Sequence, residues 1–321
     1  MSKTVGIIGA GAMGTAVAQT VAPNVNVLLY ARREEICNDI NNTSVNSQYF
    51  PNVKLHENIV AVCDLNELKD VEILFLCIPS SVMRDLVEKL NKIVNKDCIF
   101  VSTAKGIENK TNKTMTDIIE EITKRHSVAF SGPNIAAEMV KGLSASTTIA
   151  CSDITYLNKV KNVLVTDSFK VNANTDVIGT EFCGIIKNVV AISQGICEGM
   201  DINNNAKFAV FTKSFIETKD IIEKLGGKRD TVDDYCGFGD IVTASTLTVS
   251  RNHTLGVLRG QGIVIDENAS GVLFEGKNTT IILKKLCDEL NVNSLTVDFV
   301  YDVIIKNANP KKAFYKLWEQ L

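Results

Sequence analysis

The first half of the chain repeats one pattern: a short apolar run, a glycine or proline, then a stretch with helical spacing. Thr4 to Ile8 (TVGII) is apolar and closes at Gly9. Ala12 to Ala22 carries helix formers and stops at Pro23, whose ring and missing N–H end a helix. Val25 to Tyr30 reads as a second strand, and Ile73 to Ile78 is an almost unbroken apolar run, the mark of a strand covered on both faces. Ile99 to Val101 and Val128 to Phe130 read the same way. Helical spacing fills Val82 to Val94 and Thr114 to Lys124. Strands that alternate with helices predict a parallel, doubly wound sheet.

Past Asp176 the texture changes. Thr180 to Glu198, Ala206 to Leu225, Gly239 to Ser250, Thr279 to Leu290 and Val297 to Ile305 all read as helices, separated by turn signals at Gly199, Gly226 and Gly227, and Asn309 and Pro310. The expected fold is therefore α/β: an N-terminal Rossmann-type doubly wound parallel sheet over residues 1–176, then an all-α C-terminal domain over 177–321. No internal repeat interrupts it. The chain is rich in Asn and Lys, which reads as composition bias.

Composition narrows the function classes. Of 321 residues, 45% are hydrophobic and 22% charged, which suits a globular protein. A net charge of −3 disfavours general nucleic-acid binding, which depends on neutralising many phosphates. It leaves room for a small phosphorylated ligand held by a few local cations. No apolar run approaches a membrane span of about 18 residues, and the start runs straight into a strand-like segment, so neither a membrane span nor a signal peptide is expected. The nine cysteines are scattered and form no C-x-x-C. They read as reduced thiols in a cytoplasmic protein. The three histidines lack ligand spacing, so no metal is expected.

Gly9, Gly11 and Gly14 have the spacing G-x-G-x-x-G directly after a strand and at the start of a helix. That context marks a dinucleotide site: a tight turn, a close approach of backbone to pyrophosphate, and a helix packed close on its strand. The helix N-terminus adds a positive dipole end. At the end of the second strand an acid would favour NAD and an arginine would accept the 2′-phosphate of NADP. This chain has Arg32 and Arg33, with Glu34 and Glu35 following at the expected start of the next helix. The pair reads as tolerance of NADPH with NADH also used, or as a solvated charge cluster.

In TEFCGIIKNVVAISQGICEG, the residues Phe182, Ile185, Ile186, Val189, Val190 and Ile196 form one helical stripe, and Lys187 lies outside it among Cys183, Gly184, Ala191 and Gly195. Small neighbours would let a substrate and nicotinamide approach the lysine, which could exchange a proton with a reacting oxygen if burial lowers its pKa. A solvated lysine with small neighbours for helix packing is the plainer alternative. Ser250, Arg251 and Asn252 end a helical segment, where Arg251 offers a planar fork for phosphate or serves as a partner of the helix dipole. Lys105 and Gly106 follow one strand, and Gly132, Pro133, Asn134 and Ala136 follow another. Both places suit ligands, which collect at the carboxyl ends of strands in open α/β sheets. A surface lysine and a Gly-Pro turn are the alternatives there.

The ordered set GAGAMGTAVA, LYARR, KGIE, SGPNIAAE, EFCGIIKNVVAISQGICEGM, NNAK, GFGDIV, SRN and FEG resembles the bacterial-type NAD(P)-dependent glycerol-3-phosphate dehydrogenases over essentially the whole chain. The resemblance implies NAD(P)H as cofactor, without a metal. It implies reversible hydride transfer between that cofactor and dihydroxyacetone phosphate, supplying glycerol 3-phosphate for phospholipid synthesis. Lys187 would be the proton donor and acceptor, and Lys105 would lie between substrate and nicotinamide. Gly132, Asn134, Asp240, Ser250, Arg251 and Asn252 would line the substrate site. Ala12, Met13, Arg32, Arg33, Ala136, Arg251, Leu273 and Glu275 would touch the dinucleotide, together with Gly9, Gly11, Gly14 and Lys105. A homodimer is implied as well. Three positions depart from the usual pattern: Met13 in place of an aromatic residue, Asn134 in place of serine, and GFGDIVTAS in place of GLGDLVVTC. The competing readings are a two-domain 3-hydroxy-acid dehydrogenase, disfavoured by SRN and GFGDIV, and a dinucleotide-sensing regulator, which would need no Lys187, Lys105 or Asp240.

Overall fold

The computed structural model describes residues 3–247, 250–264 and 274–321. The chain divides into two compact units, Met1–Val177 and Ile178–Leu321. The first holds β1 (Thr4–Ile8), α1 (Ala12–Val21), β2 (Asn26–Tyr30), α2 (Glu34–Thr43), β3 (Ile59–Val62), β4 (Ile73–Leu76), α3 (Met83–Leu90) and β5 (Ile99–Ser102). It continues through α4 (Met115–Thr123), β6 (Ser127–Ser131), α5 (Ala136–Met139), β7 (Ala145–Ala150), α6 (Ile154–Leu164) and β8 (Phe169–Asn174).

The eight strands lie in the order β3-β2-β1-β4-β5-β6-β7-β8. Pairing is parallel from β3 through to β6, antiparallel between β6 and β7, and parallel again between β7 and β8. The sheet expected from the sequence is thus mostly parallel, with one reversal. The connection explains it: after β6 the four-residue α5 does not cross back over the sheet, so β7 returns alongside. The strand order reverses between β1 and β4: from β1 the chain winds outward through β2 and β3 on one side, and β4 lies on the other. That switch point is where a doubly wound sheet opens a crevice.

Alternate residues of the central strands feed two cores. Ile73 and Phe75 of β4 pack on one face with Val17 and Val21 of α1, whereas Leu74 and Leu76 pack on the other with Met83, Val87 and Leu90 of α3. This double burial accounts for the unbroken apolar run in β4.

The second unit is helical. It holds α7 (Val177–Gly199), α8 (Asn204–Lys224), α9 (Asp240–Thr246), α10 (Arg251–Gly260), α11 (Glu275–Glu289), α12 (Leu295–Ile304) and α13 (Pro310–Trp318). The expected helix from Gly239 to Ser250 stops at Thr246, and a new helix opens at Arg251. Asn309 and Pro310, taken as a turn, instead start α13: Asn309 caps it by accepting from the Lys312 N–H, and Pro310 stands where its missing N–H costs nothing. Buried Glu217 of α8 accepts from the N–H groups of Leu295 and Thr296 and from the Ser294 hydroxyl, so it caps α12 from another helix.

The expectation of nine reduced thiols is corrected at one place. Where α2 lies against β3, Cys37 and Cys63 form a disulfide with Cα atoms 6.5 Å apart, within the span such a bond bridges. Among the free cysteines, burial pushes the thiols of Cys98, Cys197 and Cys287 up to about 12. They are therefore neutral near pH 7.

Candidate active site

In the first unit the site begins at the turn from β1 into α1. Gly9 has φ +103°, a conformation that side-chain-bearing residues avoid. A Cβ on Gly14 would run into the Gly9 carbonyl, so α1 can press this closely on its strand only because both are glycine. Gly11 differs: a Cβ there would meet only the Tyr49 hydroxyl, 4.0 Å away, and the space before it is otherwise open. Gly11 is also the N-cap of α1 and offers no side-chain acceptor, so the helix end carrying Ala12 and Met13 keeps its positive end uncapped by a side chain. An anion laid against that backbone would find both room and charge complementarity.

At the end of β2, Arg32 and Arg33 are exposed, and Glu34 and Glu35 fall in the first turn of α2. The acids therefore serve the helix dipole and leave the arginines at the strand end. The Arg33 guanidinium donates to the Gln48 side chain.

Lys105 follows β5 and is half-buried. Its loop is held from two sides. Gly106 leaves no space for a side chain beside Ser80, and Glu108 accepts two hydrogen bonds from Arg84 of α3, at 2.8 and 2.9 Å. The Arg84 guanidinium holds the Glu108 carboxyl below its usual range and, with Lys113, pulls Glu121 down to about 2. The sequence reading passed over Arg84; the glutamate of KGIE was the available signal. After β6, the Gly132–Pro133 bond is cis. Asn134 then accepts from the Thr147 hydroxyl and donates to the Ser146 carbonyl, both at 3.4 Å, and Ala136 starts α5.

In the second unit every residue from Gly179 to Cys197 is buried except Lys187. The stripe expected on one face of α7 thus extends around the helix, and the lysine is its one opening. The Lys187 ammonium donates to Asp240 Oδ1 at 2.8 Å, across 53 residues of sequence. The side chains are 16% and 3% exposed, so the pair is more than a surface ion pair, which would contribute little. At Gly195 the small face beside Lys187 follows the plainer alternative, helix packing. Gly195 and Gly199 meet the backbone of α10 at His253 and Val257, and Gly256 and Gly260 of α10 meet Ile192 and Ile196 in return. That part of the small face takes a helix backbone, not a ligand.

The SRN segment opens a helix rather than ending one. Ser250 is the N-cap of α10 and accepts from the His253 N–H at 3.3 Å. Arg251 is the first helical residue and is exposed. A cation at that end has no favourable dipole to meet, which removes the helix-dipole explanation. Asn252 joins three segments: it donates to Asn188 Oδ1 at 2.9 Å and accepts from the Gly276 N–H at 3.2 Å. A Cβ on Gly276 would strike Asn252, so SRN, FEG and the asparagine after Lys187 are parts of one cluster. Asn188 went unnoticed in the sequence. Glu275 starts α11 beside Gly276. Leu273 lies outside the described residues, and no group of metal-holding side chains occurs among those described.

The comparisons with known proteins follow this geometry. The family description "NAD-dependent glycerol-3-phosphate dehydrogenase N-terminus" matches residues 4–157, and its C-terminal counterpart matches residues 176–315. The chain belongs to the NAD-dependent glycerol-3-phosphate dehydrogenase family. Relatives named glycerol-3-phosphate dehydrogenase [NAD(P)+] include one from Clostridium acetobutylicum, 33% identical over 97% of this chain and 95% of its own length. Another, from Halothermothrix orenii, is 34% identical over 99% of this chain and 95% of its own. Among solved structures, the glycerol-3-phosphate dehydrogenase of Coxiella burnetii is similar with a TM-score of 0.90 and 26% identity, covering 99% of both chains. The family is one of NAD(P)-dependent oxidoreductases, and the open, side-chain-free face of the glycine loop accords with such a cofactor.

Proposed function

We propose that the chain interconverts dihydroxyacetone phosphate and sn-glycerol 3-phosphate with NADPH or NADH. The observation that carries the reading is Lys187, the single opening in the buried run from Gly179 to Cys197, with its ammonium aimed by buried Asp240. A bound nicotinamide supplies hydride transfer at the ketone carbon. The remaining tasks fall to side chains. Lys187 gives a proton to the ketone oxygen in reduction and takes it back from the alcohol in oxidation. Asp240 fixes the direction of that ammonium and balances its charge. Arg251, at a helix N-terminus that itself favours anions, holds the substrate phosphate with paired charge-assisted hydrogen bonds. Asn252, with both ends of its amide engaged, holds the loop that presents Arg251. Ser250 sets the start of that helix. Lys105, Gly132 and Asn134 line the substrate from the strand ends.

Gly9, Gly11, Ala12, Met13 and Gly14 take the pyrophosphate side of the cofactor, and Arg32 and Arg33 take the ribose side. Ala136, Arg251, Leu273 and Glu275 complete the cofactor contacts. The product would feed phospholipid synthesis in the cytoplasm; no helix among the described residues is long and apolar enough to cross a membrane. A homodimer is part of the proposal. Phe208 and Ile216 of α8 are 54% and 46% exposed, and Phe238, 52% exposed, packs edge-on against Phe215. Apolar surface of this kind favours association. Sedimentation equilibrium at a monomer mass would remove that part.

The test of the reaction is a spectrophotometric assay with dihydroxyacetone phosphate and either NADPH or NADH. Oxidation of the cofactor is expected with the phosphorylated ketone, and far slower oxidation with unphosphorylated dihydroxyacetone. Equal kcat/KM for the two ketones would remove the phosphate assignment. Turnover only on 3-hydroxy acids would favour the other two-domain dehydrogenase.

A further inference from the structure

Behind the glycine loop lies a residue with no assigned role. Asn46 is 0% exposed. It sits past the C-terminus of α2, in a segment that turns back beneath the loop. Its side-chain amide donates twice, to the Ala10 carbonyl at 3.0 Å and to the Thr15 hydroxyl at 2.8 Å. Its own Oδ1 is buried and has no hydrogen-bond partner among the described residues. A buried acceptor left unpaired is costly. An apolar side chain would avoid that cost but would leave the buried Ala10 carbonyl without this donor, so what the asparagine gains is its hold on that carbonyl.

The gain lies in the peptide that the amide holds. Ala10 is the middle residue of Gly9-Ala10-Gly11. Its carbonyl and the Gly11 N–H belong to one planar trans peptide and point in opposite directions. Drawing the carbonyl inward to Asn46 turns the Gly11 N–H outward. Gly11 is the glycine whose front is open. The second bond acts on Thr15, one turn into α1, so a single side chain fixes both the loop and the helix that follows it. The Asn46 backbone carbonyl meanwhile accepts from the N–H groups of Tyr49 and Phe50, at 3.1 and 2.8 Å. Tyr49 is the residue whose hydroxyl stands before Gly11.

We propose that Asn46 is a positioning residue for the dinucleotide pyrophosphate, acting through the orientation of the Ala10–Gly11 peptide. The inference rests on the dinucleotide reading of the loop and adds a residue to it. The pyrophosphate is common to NADH and NADPH, so loss of Asn46 weakens both alike. The ketone and its proton donor lie elsewhere, so turnover at saturating cofactor is retained.

The experiment measures dissociation constants of NADH and NADPH directly, by isothermal titration calorimetry, for the full-length wild type, Asn46→Ala and Asn46→Asp. Steady-state constants and melting temperatures are measured alongside. Asn46→Asp is close to isosteric and removes the amide donors. Both variants are expected to raise both dissociation constants about tenfold, with kcat within about twofold and the KM for dihydroxyacetone phosphate unchanged. A purely structural role would lower Tm and leave the dissociation constants in place, which would overturn the proposal. Weakening of NADPH alone would overturn it too, because it would assign Asn46 to the ribose end. If the Asn46 variants do not fold, Thr15→Val removes one of the two bonds at nearly constant volume. A rise of about threefold in both constants then supports the inference, and no rise defeats it. Wild-type protein that binds neither dinucleotide would instead defeat the underlying reading of the loop.

Discussion

The two units build their candidate sites from different material. In the first, the glycine loop is made of backbone: a positive φ at Gly9, a Cβ-free contact at Gly14 and an uncapped helix end at Gly11. In the second, the site is made of side chains brought together from far apart, Lys187 with Asp240 across 53 residues and Asn252 with Asn188 across 64. A backbone site binds a shape and a charge shared by many nucleotides. A side-chain site can set a proton, a counter-charge and a phosphate grip one residue at a time. On the proposed reading, general affinity belongs to the first unit and the chemistry to the second, and single substitutions should separate the two.

The sharpest break is at Lys187. Lys187→Ala removes the proposed proton donor but leaves the glycine loop untouched. A fall in kcat of roughly 100- to 10,000-fold is expected, with the dissociation constant of NADPH within about twofold of wild type. Near-normal kcat would return the lysine to a structural part and erase the division of labour. Asp240→Asn comes next. It keeps the shape and a hydrogen-bonding oxygen but discharges the buried partner of a partly exposed ammonium. Misplacing a catalytic group can cost about 100-fold, so kcat should fall by up to that amount and by less than in Lys187→Ala. Stopped-flow single turnovers at saturating cofactor measure it. A loss confined to cofactor affinity would move Asp240 out of the chemistry.

Arg251 tests the grip on substrate. Arg251→Ala is expected to raise the KM for dihydroxyacetone phosphate at least about tenfold, since a hydrogen bond between charged groups contributes strongly. Arg251→Lys keeps the charge but loses the planar fork and should fall between. An unchanged KM in both variants would leave the arginine without a role at its helix N-terminus.

How much of this could be read in the sequence follows the same contrast. The glycine loop was legible because six residues of one segment force its geometry. β1, β4, β5 and β6 were legible because burial on both faces leaves apolar runs, and β2 because its one buried face alternates with partly covered apolar residues. β7 (ASTTIA) and β8 (FKVNAN) were not: their polar residues hide them, and β8 is an edge strand with only Phe169 fully buried. Lys187 and Asp240 share no local period, so only the ordered family motifs joined them. Chemistry misled the reading of SRN, because helical residues on both sides concealed a break at Leu247 and a serine cap at Ser250. Asn46 disappeared into NDINNTSVN, where asparagine looks like composition bias. Nothing local distinguishes it; only the return of that segment beneath Ala10 does.

The smallest expected effect belongs to the exposed arginines, and it probes the one place where the backbone site borrows side chains. Arg32 and Arg33 stand at the end of β2 with their charges in solvent. Water and salt screen such charges, so each contact to a phosphate is worth little compared with a buried pair. Only NADPH carries the 2′-phosphate they would meet. Replacing both by alanine should therefore raise the dissociation constant of NADPH by about fivefold, a sum of two weak surface contacts, while that of NADH stays within experimental error. The difference should shrink as salt rises, because screening acts on the wild-type contact and the variant has none to lose. Parallel titrations of both cofactors at low and high salt measure all four constants. An equal loss for both cofactors would mean that the arginines support the strand end rather than read the phosphate. A salt-independent loss for NADPH alone would point instead to the Arg33–Gln48 hydrogen bond, with the segment around Asn46 setting cofactor choice as well as affinity.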